Sequence, residues 1–339
     1  MILAQALDNM DLCVGYWDVN EIVHPEMKRT KYYALSTKCD IPPWRIIKLL
    51  RAFGSKTKFL SDYKWALYSG IVAPVAVENR LQGRNLLYCH TIPRFAYDLK
   101  EYYLNSLVKW QQPLLKGLIR YMKPRYEAAV SKMDKIMVNS ENVRKRLQTY
   151  LGVDSQVIYP PCETGKFRWL GQDGYYLSTA RLENFKRVEM IVRAFINMPD
   201  QKLVVVSGGS ELDRLKRLAQ DARNITFTGW VSEEKLRTLV GNAIASIYIP
   251  IDEDFGISPV ESMAAGKPVI GVCEGGILET VVHGETGFLI PSNPSEEDLI
   301  EAVQKIGAKT ALEMRDACKG RARLFDKRIF VEKISAVLQ

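Results

Sequence analysis

From Gly174 onward the sequence alternates short apolar strands with helices, and this alternation limits the fold more than any other feature. It reads strand YYLSTARL, a helix from Lys186, strand KLVVVSGG, helix ELDRLKRLAQDA, strand NITFTGW, helix SEEKLRTLVGNA and strand ASIYIPI. Strands separated by helices of about ten or more residues are joined by crossovers and lie parallel, so the pattern predicts a doubly wound α/β sheet. The N-terminal half repeats it more loosely. Strands are expected over residues 11–17, 65–68, 85–89 and 134–139, with helices over 44–53 and 71–78. A chain of 339 residues suits two domains of ordinary size, and Pro160 and Pro161 place the expected boundary near residue 160.

In open α/β sheets ligands bind beyond the carboxyl ends of the strands, where the following helices begin with free N–H groups. The strand at residues 246–251 ends in Asp252, Glu253, Asp254, Phe255 and Gly256. Ser258 then reads as an N-cap, Pro259 as the first helical residue, and Glu261 as the third member of a capping box. Glu261 either closes that box alone or shares a cavity with Glu253, with the amides of Phe255, Gly256 and Ile257 between them. Arg181 follows the strand YYLSTA, and Lys186 stands at the start of the next helix; each is either a surface charge or an anion ligand at the same edge. Gly208 and Gly209 allow a close approach or simply make a turn. In the N-terminal half, His90-Thr-Ile-Pro-Arg94 follows a strand. The histidine can donate to a hydroxyl or phosphate and Arg94 can add charge, or Pro93 fixes a turn with His90 bonded to backbone.

Composition narrows the classes. Hydrophobic content of 47% with 25% charged residues is that of an ordinary soluble chain. A net charge of +8 suits phosphorylated ligands, anionic membranes or nucleic acid, but no zinc finger, RNA-recognition signature or basic heptad array supports the last. Six scattered cysteines read as reduced cytosolic thiols, and three histidines, His24, His90 and His283, form no metal-like cluster. No signal peptide opens the chain and no apolar run reaches the ~20 residues of a membrane span, so a cytoplasmic location is expected, with peripheral contact at the inner membrane face. Residues 97–126 interleave aromatics with lysines and arginines, either a solvated helical face or a stretch that lies on an anionic membrane surface.

The string EDFGISPVE, an E-x7-E from Glu253 to Glu261, continues into SMAAGKPVIG and CEGGILETVVHGETGFLI. It resembles the nucleotide-sugar site of retaining family 4 glycosyltransferases, most closely the bacterial and archaeal mannosyltransferases of surface-glycan synthesis. The resemblance implies a GT-B fold, two Rossmann-like domains facing across a cleft. Residues 1–160 would form the acceptor side, 161–325 the nucleotide-sugar domain, and 326–339 a helix packing back on the first. It further implies that Glu261 binds ribose hydroxyls, that Glu253 positions the donor sugar, and that the Phe255, Gly256 and Ile257 backbone holds sugar and phosphate. STARLENFKR is similar to the family's phosphate-binding segment, giving Arg181 and Lys186 the leaving diphosphate. YCHTIPR is similar to its N-domain motif, which sets His90 against the donor sugar with Arg94 beside it; Gly208 is expected to approach the nucleotide.

By the same resemblance the expected reaction is hexose transfer, mannose from GDP-mannose foremost, to a glycan or lipid-linked acceptor. Attack is expected from the front side, with no cofactor and no metal. Asp252 and Asp254 make a formal D-x-D, but metal-dependent enzymes carry that motif early in a single nucleotide domain, and here two cations fill the role. The chain departs from the family pattern at its start, where a helix-like run over residues 1–10 precedes the first strand. The usual first strand and Gly-rich loop are therefore expected to be missing. Two alternatives stay open: a synthase or phosphorylase of the same fold acting on a soluble sugar, and a sugar-nucleotide-binding pseudoenzyme or partner subunit.

Overall fold

A computed structural model describes residues 2–7, 10–16, 30–36 and 38–339. The chain divides into two compact units, Met1–Tyr159 with Val331–Gln339, and Pro160–Phe330.

Among the described residues the first unit holds two separate sheets. β1 (Leu12–Val14) and β2 (Tyr32–Ala34) pair in parallel by themselves. β3 (Trp65–Ser69), β4 (Arg84–Cys89), β5 (Lys135–Val138) and β6 (Gln156–Val157) form a parallel four-stranded sheet in chain order. Its core gathers Leu87, Met122, Tyr126, Val138 and Leu147, all essentially without exposure. The helix Glu141–Leu151 begins where Ser140 Oγ accepts from the Val143 amide at 3.0 Å and stops at Gly152, whose φ of 67° suits glycine. The helix expected over residues 71–78 is instead a 3₁₀ turn, Ala73–Asn79, in which the β-branched Val75 and Val77 are pinned in the core. A short helix does open the chain at Ile2–Ala6, whereas Met1, Asp8, Asn9, His24 and the Trp17 end of the expected first strand lie outside the described residues.

The second unit is one six-stranded parallel sheet. It comprises β7 (Tyr175–Ser178), β8 (Lys202–Val206), β9 (Ile225–Gly229), β10 (Ser246–Tyr248), β11 (Val269–Val272) and β12 (Gly287–Ile290), in the order β12-β11-β10-β7-β8-β9. Leu177, Val205, Ile247 and Ile270 are wholly buried, as expected for strands covered by helices on both faces. Strand order reverses between β7 and β10. Chain order runs outward through β8 and β9 on one side of β7 and through β11 and β12 beyond β10 on the other. That reversal is a topological switch point, where an open α/β sheet leaves a crevice at its carboxyl edge.

Candidate active site

The loops leaving β7 and β10 bring the predicted charges together at the switch point. Lys186 Nζ forms an ion pair with Glu253 Oε2, and the Tyr248 hydroxyl donates to the same oxygen at 3.1 Å. Burial first, and then the Glu253 and Glu261 carboxylates, push the Tyr248 phenol well above its ordinary pKa, so it stays a donor. Arg181 is exposed and has no ion-pair partner among the described residues. Lys186 lies in the 3₁₀ turn Asn184–Lys186, ahead of the helix Val188–Ile196 rather than at its start. The cause is Arg187, whose φ of 52° breaks the run between turn and helix.

Arg187 carries no signal in the sequence, where it is one more charge in FKR. Its guanidinium reaches Glu274 Oε1 at 2.6 Å and the carbonyls of Ile249 and Ser292 at 3.4 and 3.0 Å, fastening the ends of β10, β11 and β12 around the site. The glycine pair Gly275-Gly276 has an equally local reason. The Gly276 amide donates to the Glu253 carbonyl at 2.7 Å, and a Cβ on Gly276 would stand 2.5 Å from the Asp254 carbonyl oxygen. Only a bare backbone fits behind the acidic loop. Three non-glycine residues have positive φ among those described: Arg187, Ser207 and Asp252. All three sit on carboxyl-edge loops of this sheet, after β7, β8 and β10. Such strain persists where surrounding structure holds a loop in one working shape.

The capping box expected at Ser258 is absent. Gly256, at φ 84°, turns the chain directly into the helix Ile257–Ala264, and no side chain caps its first turn. The first-turn amides therefore have no side-chain cap, and Glu261 is released from the box. Its carboxyl makes no hydrogen bond or ion pair among the described residues. Burial, followed by the nearby Glu233 carboxylate, pushes its pKa up to about 7 despite the opposing pull of Arg237. Beyond β9, Trp230 is 72% exposed, and its indole lies across Gly208, where an added Cβ would be 2.5 Å from Trp230 Nε1. No motif singles out this tryptophan, although its place directly after a strand is a usable signal.

In the first unit His90 leaves β4 with its ring edge-on to Tyr88, centroids 4.9 Å apart, and surrounding protein lowers its pKa. Arg94 is engaged by Asp98, Nε to Oδ2 at 2.8 Å and Nη2 to Oδ2 at 2.7 Å. The buried Arg146 approaches the same carboxylate at 3.3 Å and donates to Thr91 Oγ1 at 3.4 Å. Among the described residues no group of three metal-capable side chains forms, including around Asp252 and Asp254.

A parallel-sheet α/β architecture with a switch-point site of this kind is that of the GT-B glycosyltransferases. Sucrose-phosphate synthase from Thermosynechococcus elongatus superposes with a TM-score of 0.80 at 20% identity, covering 99% of this chain and 90% of that one. Anabaena HepE in complex with UDP and glucose gives 0.69 at 15% identity, covering 99% and 94%. The sequence profile of the glycosyl transferases group 1 family matches residues 164–325. An uncharacterized glycosyltransferase of Methanocaldococcus jannaschii, MJ1069, is 30% identical over 303 residues, 82% of this chain and 74% of that one. The chain belongs to the glycosyl transferases group 1 family. The alpha-1,3/1,6-mannosyltransferase ALG2 of Mus musculus is 27% identical over 293 residues, and the match spans 75% of this chain and 66% of that enzyme.

Proposed function

We propose that this chain is a retaining glycosyltransferase that moves mannose from GDP-mannose onto a glycan or lipid-linked acceptor without a metal ion. The observation that carries the reading is the pairing of Lys186 with Glu253 at the switch point, on the same sheet edge as Arg181 and Glu261, which have no ion-pair partner among the described residues. A nucleoside diphosphate gains negative charge as the glycosidic bond breaks, and cations fixed at a sheet edge stabilise it most in the transition state. Arg181, Lys186 and the uncapped amides after Gly256 fill that role in this reading. Glu253 is held by Lys186 and Tyr248, which suits a carboxylate that accepts sugar hydroxyls rather than one that attacks carbon. The leaving phosphate would then take the acceptor's proton on the front side. Glu261 would accept the ribose hydroxyls, and the face of Trp230 beside Gly208 would stack on the base. His90 would donate to the sugar from the acceptor-side unit. The choice of mannose leans on the similarity to ALG2 mannosyltransferases.

The experiment is a donor panel. Incubation of the purified chain with GDP- and UDP-sugars in EDTA, with and without glycolipid acceptor, should release GDP from GDP-mannose only when acceptor is present. Release that needs added Mg²⁺ or Mn²⁺ would remove the metal-free part of the reading. Transfer to a soluble sugar would favour a synthase, and donor binding without release under every condition would favour a pseudoenzyme or partner subunit.

A further inference from the structure

Between Tyr102 and Tyr126 the chain has five basic residues, Lys109, Lys116, Arg120, Lys123 and Arg125, and no acidic one. The structure divides them unequally. Lys123 faces Glu127 and Arg125 folds onto the Tyr121 ring, whereas Lys109, Lys116 and Arg120 are exposed without an ion-pair partner among the described residues. Beside them stand Val108 at 56%, Trp110 at 71% and Leu114 at 58% exposure. These residues occupy the loop after the helix Lys100–Ser106 and the outer face of the helix Gln112–Val130, where Lys116 and Arg120 are one turn apart. Leaving a Trp, a Val and a Leu in water within seven positions has no structural return, because Leu118, Ile119 and Met122 already supply that helix's buried side.

A second helix extends the surface. Pro42–Ser55 leads into β3 and Gln112–Val130 leads into β5, so both run against parallel strands of one sheet. The C-terminal halves line one groove, through Arg51 and Gly54 on one side and Tyr121 and Pro124 on the other. Both helices therefore begin at the same end, the carboxyl edge of the sheet. Exposed Ile41 and Trp44 mark the start of the first as Trp110 and Leu114 mark the start of the second. Two helix starts thus present indoles at one end of the unit, the second beside Lys109, Lys116 and Arg120.

We infer that this end of the first unit docks on an anionic lipid bilayer, with Trp110, Val108 and Leu114 entering the headgroup region and Lys109, Lys116 and Arg120 facing lipid phosphates. An amphipathic indole with basic neighbours is the combination that settles at a membrane interface, and the acid-free stretch between Tyr102 and Tyr126 fits a negative one. Contact is peripheral, since no described helix is long and apolar enough to cross a membrane. The inference does not depend on the transfer reaction.

Sedimentation of the full chain with vesicles tests it, using phosphatidylcholine alone and phosphatidylcholine mixed equally with phosphatidylglycerol. Binding to the anionic vesicles only, weakening with added salt, is expected. Lys109→Gln and Lys116→Gln should each weaken it about fivefold, and Trp110→Ala about tenfold. All three positions are exposed, so circular dichroism should be unchanged. Absence of anionic-vesicle binding, or binding indifferent to all three substitutions, overturns the inference. Self-association abolished by Trp110→Ala, without vesicle binding, would give the surface to a second copy of the chain and overturn it equally.

Discussion

The two units each carry a loop cluster at the carboxyl edge of a parallel sheet, yet they engage their charges in opposite ways. In the first, Asp98 takes both Arg94 and Arg146, and all three side chains are no more than 16% exposed. In the second, Lys186 and Glu253 pair, while Arg181 and Glu261 have no ion-pair partner among the described residues. A cluster whose charges pair with one another, as Asp98 Oδ2 does with Arg94 and Arg146, holds a loop in shape. An exposed charge without an ion-pair partner, such as Arg181, is open to a ligand at little cost to stability, whereas a desolvated carboxyl such as Glu261 costs stability when ionised. On the proposed reading the first cluster keeps a loop in shape and the second receives the donor, and substitutions can break that assignment.

The largest effect should come at Glu253. Glu253→Gln keeps the side-chain shape but loses the charge that faces Lys186, and turnover is expected to fall about 100- to 1,000-fold with the fold intact by circular dichroism. Near-normal turnover would reduce the pair to a structural clamp. The contrast between the two arginines comes next. Arg181→Ala should cost about 100-fold in turnover and leave denaturant stability unchanged, because its exposed guanidinium has no ion-pair partner among the described residues. Arg94→Ala should instead lower stability by about 2–3 kcal/mol, since it strips one partner from a mostly buried carboxylate. Arg94→Ala with full stability and lost donor binding would restore Arg94 to the donor site and dissolve the contrast.

Legibility in the sequence tracks which interactions are local. The strands of the second unit were readable because runs such as KLVVV are buried on both faces, so composition alone identifies them. The acidic loop was readable because E-x7-E is contiguous in sequence. Features set by backbone conformation or by distant partners escaped. Ser258 looked like a cap, but Gly256 takes the left-handed conformation and starts the helix a residue before it. Lys186 looked helical, but Arg187 interrupts the run. Arg187 pairs with Glu274, 87 positions away, and no pattern in FKR announces that. The glycines of CEGG matter because the Glu253–Phe255 backbone lies against them, and only the folded sheet brings it there.

Trp230 tests whether ligand reception extends outward from the switch point to β9. Trp230→Ala removes an exposed ring and should not alter stability, but donor KM is expected to rise about tenfold with kcat little changed, the mark of a stacking contact equal in ground and transition states. An equal loss in kcat would place the indole nearer the reacting bond than the base.

The smallest kinetic effect, and the one that reads the second cluster most directly, comes from the titration of Glu261. A carboxyl raised from its ordinary value to about 7 binds more protons folded than unfolded between the two values. Stability should therefore fall as pH rises from about 4.5 through 7 and level off above, by on the order of 3 kcal/mol in all, and Glu261→Gln should flatten the slope. Donor binding should move the other way. Ribose hydroxyls donate to a carboxylate, so donor KM should drop a few-fold between pH 6 and 8 in the unaltered chain and stay flat in Glu261→Gln. Because the same ionisation lowers stability and improves binding, saturating donor should flatten the stability slope of the unaltered chain as well. A stability slope that persists unchanged with donor bound would mean that Glu261 titrates away from the ligand, and the second cluster would then rest on Arg181, Lys186 and Glu253 alone.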